Sequence, residues 1–319
     1  MSERDQPKRP PQPVLSRRQI MIGGASLAGA GIWVAPCLAQ TGPYRFRNGD
    51  FEITVLSDGH LVLPATIHGL DAPQEEIQRL LKEAGLDSDQ VKPATNPALI
   101  RTRSDLILLD TGSGANFQPT AGKLLDNLAA ASIDPKSITK VVFTHAHPDH
   151  IWGTIGAGGA LHFPNAAYYV SAVEWDFWMD PGLMTKLPNQ MHVFVTGAQA
   201  NLAAVKNRVT MVKPGDDIVT GLSVVDSSGH TPGHISLVLS GSEGLLIPAD
   251  AITEPAVYFP HPEWRFAYDM DNDVAVANRK RLLDRAATDR MKMLGFHWPY
   301  PGLGFAERKG TAYRYMPVT

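Results

Sequence analysis

Cysteine is almost missing from this chain: one, Cys37, in 319 residues. A lone thiol excludes a disulfide framework and any metal site built from cysteine pairs. Charge is sparse and nearly balanced, with 29 Lys and Arg against 32 Asp and Glu, 19% of the chain together. Such a balance lacks the basic excess that nucleic-acid binding draws on. With 44% hydrophobic residues the composition is too apolar, and its net charge of −3 too small, for a disordered chain. The same numbers exclude collagen, coiled coil and a polytopic membrane protein. Repeats and low-complexity linkers are also lacking, and composition does not shift after residue 40.

The first 39 residues read as an address. A polar, Pro-rich, basic stretch ends in Ser16-Arg17-Arg18-Gln19-Ile20, and an uncharged, Gly- and Ala-rich stretch follows from Ile20 to Ala39. Cys37-Leu38-Ala39 places small residues at the positions a signal peptidase reads. This order predicts a cleaved twin-arginine signal peptide over 1–39 and a periplasmic or secreted protein with no stable membrane anchor. Cleavage takes five basic and two acidic residues with it, leaving a formal charge of −6 and no cysteine.

In the remainder, 44–319, strand and helix signals alternate. Phe51–Leu56, 98–101, 106–109, 141–144, 168–170, 222–225, 235–239 and 245–247 predict strands, from period-2 alternation or short buried apolar runs. Residues 73–85, 118–132 and 272–287 carry helical spacing. The pattern predicts a single α/β domain with sheets at its centre.

Six of eleven histidines fall in three tight places. Thr144-His145-Ala146-His147-Pro148-Asp149-His150 follows a short apolar strand. Extended backbone points residues i and i+2 the same way, so His145 and His147 can grip one ion, while Asp149 and His150 can face a second. Gly229-His230-Thr231-Pro232-Gly233-His234 holds two more. His234 is expected as the ligand and His230 as its support or a core residue. His297, in Gly295-Phe296-His297-Trp298, is expected to complete a second site, and Asp250 stands at the end of an apolar strand. Imidazoles with a carboxylate suit Zn²⁺. Asp110 is a strand-end carboxylate placed to orient a ligand histidine. His60, His68, His162, His192 and His261 are read as ordinary surface or core residues.

The motif His145-x-His147-x-Asp149-His150, the later His234 and Asp250, the terminal His297 and the preceding Asp110-Thr111-Gly112 resemble the metallo-β-lactamase superfamily, from about Phe51 to Gly304. The resemblance implies a four-layer αββα sandwich with two divalent metal ions, most simply Zn²⁺, at one edge of the sheets. It implies His145, His147 and His234 at the first ion, Asp149, His150 and His297 at the second, and Asp250 between them, with Asp149 and Asp250 the catalytic carboxylates. Gly49-Asp50-Phe51-Glu52, Phe117-Gln118-Pro119-Thr120, Phe163-Pro164-Asn165-Ala166, Asp176-Phe177-Trp178 and the tail Pro299 to Gly304 resemble the methyl parathion hydrolase group and related lactonases and esterases. Quorum-quenching lactonases of the superfamily usually carry Tyr three residues after the bridging Asp, where this chain has Thr253.

The function expected is therefore an exported hydrolase that uses water activated between two cations to cleave a lactone, aryl ester or phosphotriester in a small apolar substrate. Phe117, Trp178, Tyr258, Phe259, Trp264 and Trp298 are expected to wall the substrate pocket. The rivals are a β-lactamase and a non-enzymatic metal-binding protein of the same fold. No nucleic-acid partner is expected, and a homodimer is one option for the assembly.

Overall fold

Two seven-stranded sheets, each built in chain order, carry the molecule. The computed structural model describes residues 42–318 apart from Ser242; the expected signal peptide, 1–39, lies outside the described residues. The first sheet runs β1 (Tyr44–Asn48), β2 (Phe51–Val55), β3 (Ala98–Arg101), β4 (Leu106–Leu109), β5 (Lys140–Val142), β6 (Ala167–Ser171) and β7 (Val209–Val212). The second runs β8 (Asp217–Val219), β9 (Leu222–Asp226), β10 (Ile235–Leu239), β11 (Leu245–Ile247), β12 (Lys292–Leu294), β13 (Leu303–Lys309) and β14 (Ala312–Pro317). Pairing turns parallel from β4 to β7 and between β11 and β12, and is antiparallel elsewhere.

The apolar runs follow from where each face points. In β4, Ile107 and Leu109 face the second sheet, whereas Leu106 and Leu108 face helices. Both faces are buried, so Leu106-Ile107-Leu108-Leu109 shows no alternation. Between the sheets lie Ile53, Val55, Ile100 and Val142 from the first and Leu222, Val224, Ile235, Leu237 and Leu239 from the second. Burying each such side chain contributes roughly 1.5–3 kcal/mol.

Helices cover both outer faces, completing the four layers αββα. Against the first sheet pack α2 (Leu124–Ala130), α3 (Pro148–Ile151), α4 (Ala172–Trp178), α5 (Leu183–Lys186) and α6 (His192–Val205). Against the second pack α1 (Gln74–Glu83), α7 (Pro255–Tyr258) and α8 (Asn272–Thr288), whose N-cap Asp271 accepts from the Val274 N–H. Of the helix expected over 118–132, only α2 forms. Gly122 adopts φ +76°, and the buried Asp58 carboxylate accepts from the N–H groups of Ser113, Gly122 and Leu124. Asp58 thus serves from outside as the cap that Lys123 cannot supply. Among the described residues no helix is long and apolar enough to cross a membrane.

Candidate metal centre

The topology delivers four histidine- or carboxylate-bearing segments to one edge of the sandwich. The segment 143–147 leaves the end of β5 and runs into α3. His147 keeps an extended backbone (φ −70°, ψ 159°) because Pro148 follows it, and Pro148 sits at the first helical position. Residues 227–234 join β9 to the antiparallel β10, so this turn lies at the same edge. Asp250 sits in the turn Ala249–Ala251 after β11, and His297 follows β12, parallel to β11. Two non-glycine residues beside these segments hold left-handed backbone, Asp110 at φ +57° and Ala249 at φ +46°. Such conformations persist only where the surroundings over-determine them.

Seven side chains converge there. Each residue of three groups offers a ligand atom within 4.8 Å of the others: His145, His147 and His230; His145, His150 and Asp250; Asp149, His150 and His297. All are buried. His147 Nδ1 and His230 Nε2 lie 2.9 Å apart. Asp250 faces both outer groups, with Oδ1 3.2 Å from His150 Nε2 and Oδ2 3.2 Å from His297 Nε2, 3.4 Å from His230 Nε2 and 3.9 Å from His145 Nε2.

Four imidazoles turn Nδ1 outward to a protein partner and Nε2 toward the centre. His145 meets Thr144 Oγ1 at 3.1 Å, His150 meets Asp110 Oδ2 at 2.8 Å, His230 meets Asp269 Oδ1 at 3.0 Å, and His297 meets the Ala94 carbonyl at 2.8 Å. Partners of this kind fix ring orientation at metal sites. Asp110 also accepts from the Thr144 N–H and hydroxyl, so it braces both His145 and His150. Behind His230, the buried Arg279 guanidinium donates to Asp269 at 2.8 Å and to the carbonyl of Ala251, next to Asp250.

The chemistry of this set fits cations. His145 Nε2, His150 Nε2, Asp149 Oδ2 and Asp250 Oδ1 are buried without a hydrogen-bond partner, a costly arrangement unless something fills the centre. Burial and neighbouring imidazoles push His145 and His147 well below the usual histidine range, keeping them neutral donors. At His150 and His297 burial acts the same way, but Asp250 and Asp149 outweigh it and hold both well up, His297 at about 10. The carboxylates thus call for positive charge at the centre.

His230 and His234 take positions opposite to those expected. His234 is buried with both ring nitrogens engaged, Nδ1 with Ser227 Oγ at 2.8 Å and Nε2 accepting from the Asp250 N–H at 3.1 Å. Burial depresses it to about 3. It anchors Asp250, and His230 occupies the first group. The turn reaches this arrangement because Gly229 (φ +119°) packs on the first turn of α8, where a Cβ would meet the Ala275 backbone at 2.3 Å.

A cleft opens onto the centre, floored by His147, Asp149, His230, Asp250 and His297. Its wall corrects the expected pocket. Phe117 lines it, edge-on to Trp152 and Phe194. Trp178, Tyr258, Phe259 and Trp298 do not; each is wholly buried in the helix–sheet cores. Trp178 donates to Glu174, Trp298 donates to the Ile252 carbonyl, the Tyr258 hydroxyl meets His68 Nδ1, and Phe259 packs edge-on to Trp298. Trp264 stacks on His261 instead. The wall comes from Leu61, Leu63, Ile67, Phe194 and Phe266, with His68, Thr253, Glu254 and Tyr268 as its polar members.

A family model described as the metallo-beta-lactamase superfamily matches residues 92–297. Among solved structures the chain is similar to AidC, a dizinc quorum-quenching lactonase in complex with a product, at 29% identity and TM-score 0.82, covering 87% of this chain and 98% of that one. It is similar to the hydrolase AbOPH of the beta-lactamase superfamily at 31% identity and TM-score 0.82, covering 88% and 98%. A probable metal-dependent hydrolase from Staphylococcus aureus shares the fold at 21% identity and TM-score 0.71, covering 86% and 99%. No curated protein sequence matches.

Proposed function

The chain belongs to the metallo-beta-lactamase superfamily, and on that premise we propose that it is an exported dinuclear zinc hydrolase of ester-like bonds in small, partly apolar substrates. The carrying observation is the pair of donor groups with Asp250 between them at the floor of an apolar cleft. His145, His147 and His230 would hold the first ion, and Asp149, His150 and His297 the second, with Asp250 reaching both. Imidazole with carboxylate suits Zn²⁺. Two such ions, when bound, lower the pKa of water between them and polarise a substrate carbonyl or phosphoryl oxygen. No Ser or Cys nucleophile is then needed.

The chain's own contributions are orientation and selection. Asp110, Asp269 and the Ala94 carbonyl hold the rings of His150, His230 and His297. His234 holds Asp250 through its backbone N–H. The wall of Leu61, Leu63, Phe117, Phe194 and Phe266 takes the apolar part of the substrate, and Thr253 Oγ1, buried with no partner, is free to meet a polar atom of it. The likeness to AidC favours a lactone among the candidate bonds. Export rests on the sequence of residues 1–39, and the periplasmic form would begin near Gln40.

The test is a panel of lactones, aryl esters, phosphotriesters and a chromogenic β-lactam, assayed on zinc-loaded protein whose ion content is measured. Turnover of the ester-like members with two ions bound is expected. Turnover confined to the β-lactam would make it a β-lactamase, and two tightly held ions with no turnover would make it a metal-binding protein.

A further inference from the structure

One buried carboxylate stands outside the metal groups yet touches both segments that supply the first of them. Glu174, in α4, is wholly buried. Its Oε1 accepts from the Ala146 N–H at 2.9 Å and the Trp178 indole N–H at 2.6 Å. Its Oε2 accepts from the Thr231 hydroxyl at 2.6 Å and the Gly233 N–H at 3.0 Å. Ala146 lies between His145 and His147, and Thr231 follows His230. We propose that Glu174 is a positioning residue that clamps the 145–147 segment to the 230–233 turn and thereby sets the spacing of the first metal's three histidines, an inference that rests on the two-metal reading above.

An ionised carboxylate satisfies all four donors, two at each oxygen, and these bonds oppose the burial that pushes the Glu174 carboxyl up. Gly233 shows that the clamp is built closely. A Cβ there would lie 2.0 Å from the Glu174 backbone nitrogen, so only glycine brings this N–H within reach of the carboxylate. The two segments belong to different sheets, and among the described hydrogen bonds Glu174 is the side chain that joins them through their backbones. Glu174 touches no residue of the second group, where Asp110 holds His150 and the Ala94 carbonyl holds His297; of the first group Asp110 reaches His145 alone, through Thr144. The clamp therefore acts on one ion and not on both.

Glu174→Gln replaces one accepting oxygen by a donating NH₂ and sets it against two existing donors. The experiment strips the full-length mature protein of metal, titrates zinc against a competing chelator, and repeats the titration with Co²⁺ to read its electronic spectrum. Near-UV circular dichroism checks the fold. Wild type binding two ions tests the underlying reading on its own. In Glu174→Gln the first ion should bind about 10–100-fold more weakly, as for lost outer partners of metal ligands, with the second unchanged. Trp178→Phe removes a donor from the helix side only and should keep both ions. Two ions bound by Glu174→Gln at wild-type affinity would overturn the clamp, and so would equal loss in Trp178→Phe, which would assign the effect to α4 packing. Should Glu174→Gln fail to fold, Thr231→Val decides: a weakened first ion supports the clamp, and unchanged affinity for both overturns it.

Discussion

His230 and His234 differ by four positions and, on the geometry above, by role, so replacing each with alanine should produce opposite phenotypes. In His234→Ala the Asp250 N–H loses its acceptor in a buried place, which costs about 1–3 kcal/mol. Ser227 loses its partner as well, and the space of an imidazole is emptied, a change of the kind that costs about 2–5 kcal/mol in a core. The metal-free protein should therefore lose about 3–5 kcal/mol while still taking up two ions. In His230→Ala, Asp269 keeps its 2.8 Å bond to Arg279, so no buried charge is left alone. His230 borders the cleft, so its removal widens an existing space instead of opening a closed one, and metal-free stability should fall by less than in His234→Ala. One ion should be lost, with at least about a hundredfold of activity, as when a catalytic electrostatic element is removed. Urea unfolding of the stripped proteins and zinc titration of the same samples read both quantities. His234→Ala that folds normally and loses an ion, alongside His230→Ala that keeps two, would refute the assignment.

Asp250→Asn keeps the shape but removes the charge facing both groups; one ion should be lost, most simply that of Asp149, His150 and His297, and activity should fall at least about a hundredfold, an outcome ion analysis alongside kinetics would check. Phe194→Ala should alter selectivity between aryl and alkyl substrates with modest loss of stability, whereas Trp178→Ala should cost about 3–5 kcal/mol; competition between paired substrates and thermal melts separate the two. Glu254 offers a pH test on metal-free protein, since burial pushes its carboxyl up to about 7 from 4.5, opposed in part by the Ala256 N–H and by the charge of His297. Between those values the folded state binds more protons than the unfolded, so stability falls as pH rises through the window, by about 3 kcal/mol at most. Glu254→Gln should therefore stabilise at pH 8.5 and make no difference at pH 4; an equal gain at both would show that the carboxyl does not titrate there.

Much of the fold was legible because its signals are local. Leu106–Leu109 and Leu245–Ile247 read as strands from short apolar runs, and α8 declared itself through its spacing. The helix α6 did not. Val195, Ala198, Leu202 and Val205 carry the buried stripe, but Val193, Phe194 and the mid-helix Gly197 blur it. Gly197 is there because a Cβ would strike the Trp152 indole at 2.2 Å, a contact invisible in sequence. His145-x-His147 was legible since its geometry needs only an extended chain. The choice between His230 and His234 was not, because it is made by Asp269, Arg279 and Ala275, some 40 to 50 residues away. The cleft wall was misread for a similar reason: nearness to a motif in sequence is not nearness in space. Trp298 adjoins His297, yet it is buried against Phe259 and Tyr315 while His297 faces the cleft.

The floor of the cleft and the apolar part of its wall come from different stretches of chain, whereas the polar wall residues Thr253 and Glu254 follow Asp250 directly. The floor is carried on short turns tied to buried strands, where an added residue would displace a ring or a carboxylate. The apolar wall is contributed by 61–67, by Phe117 in its loop, by Phe194 on an outer helix and by Phe266, all in segments outside the two seven-stranded sheets. Substrate preference can therefore drift, or be engineered, by exchanging these segments while the reactive centre is inherited unchanged. A library confined to them should yield many folded proteins that differ in what they accept and agree in how many ions they hold.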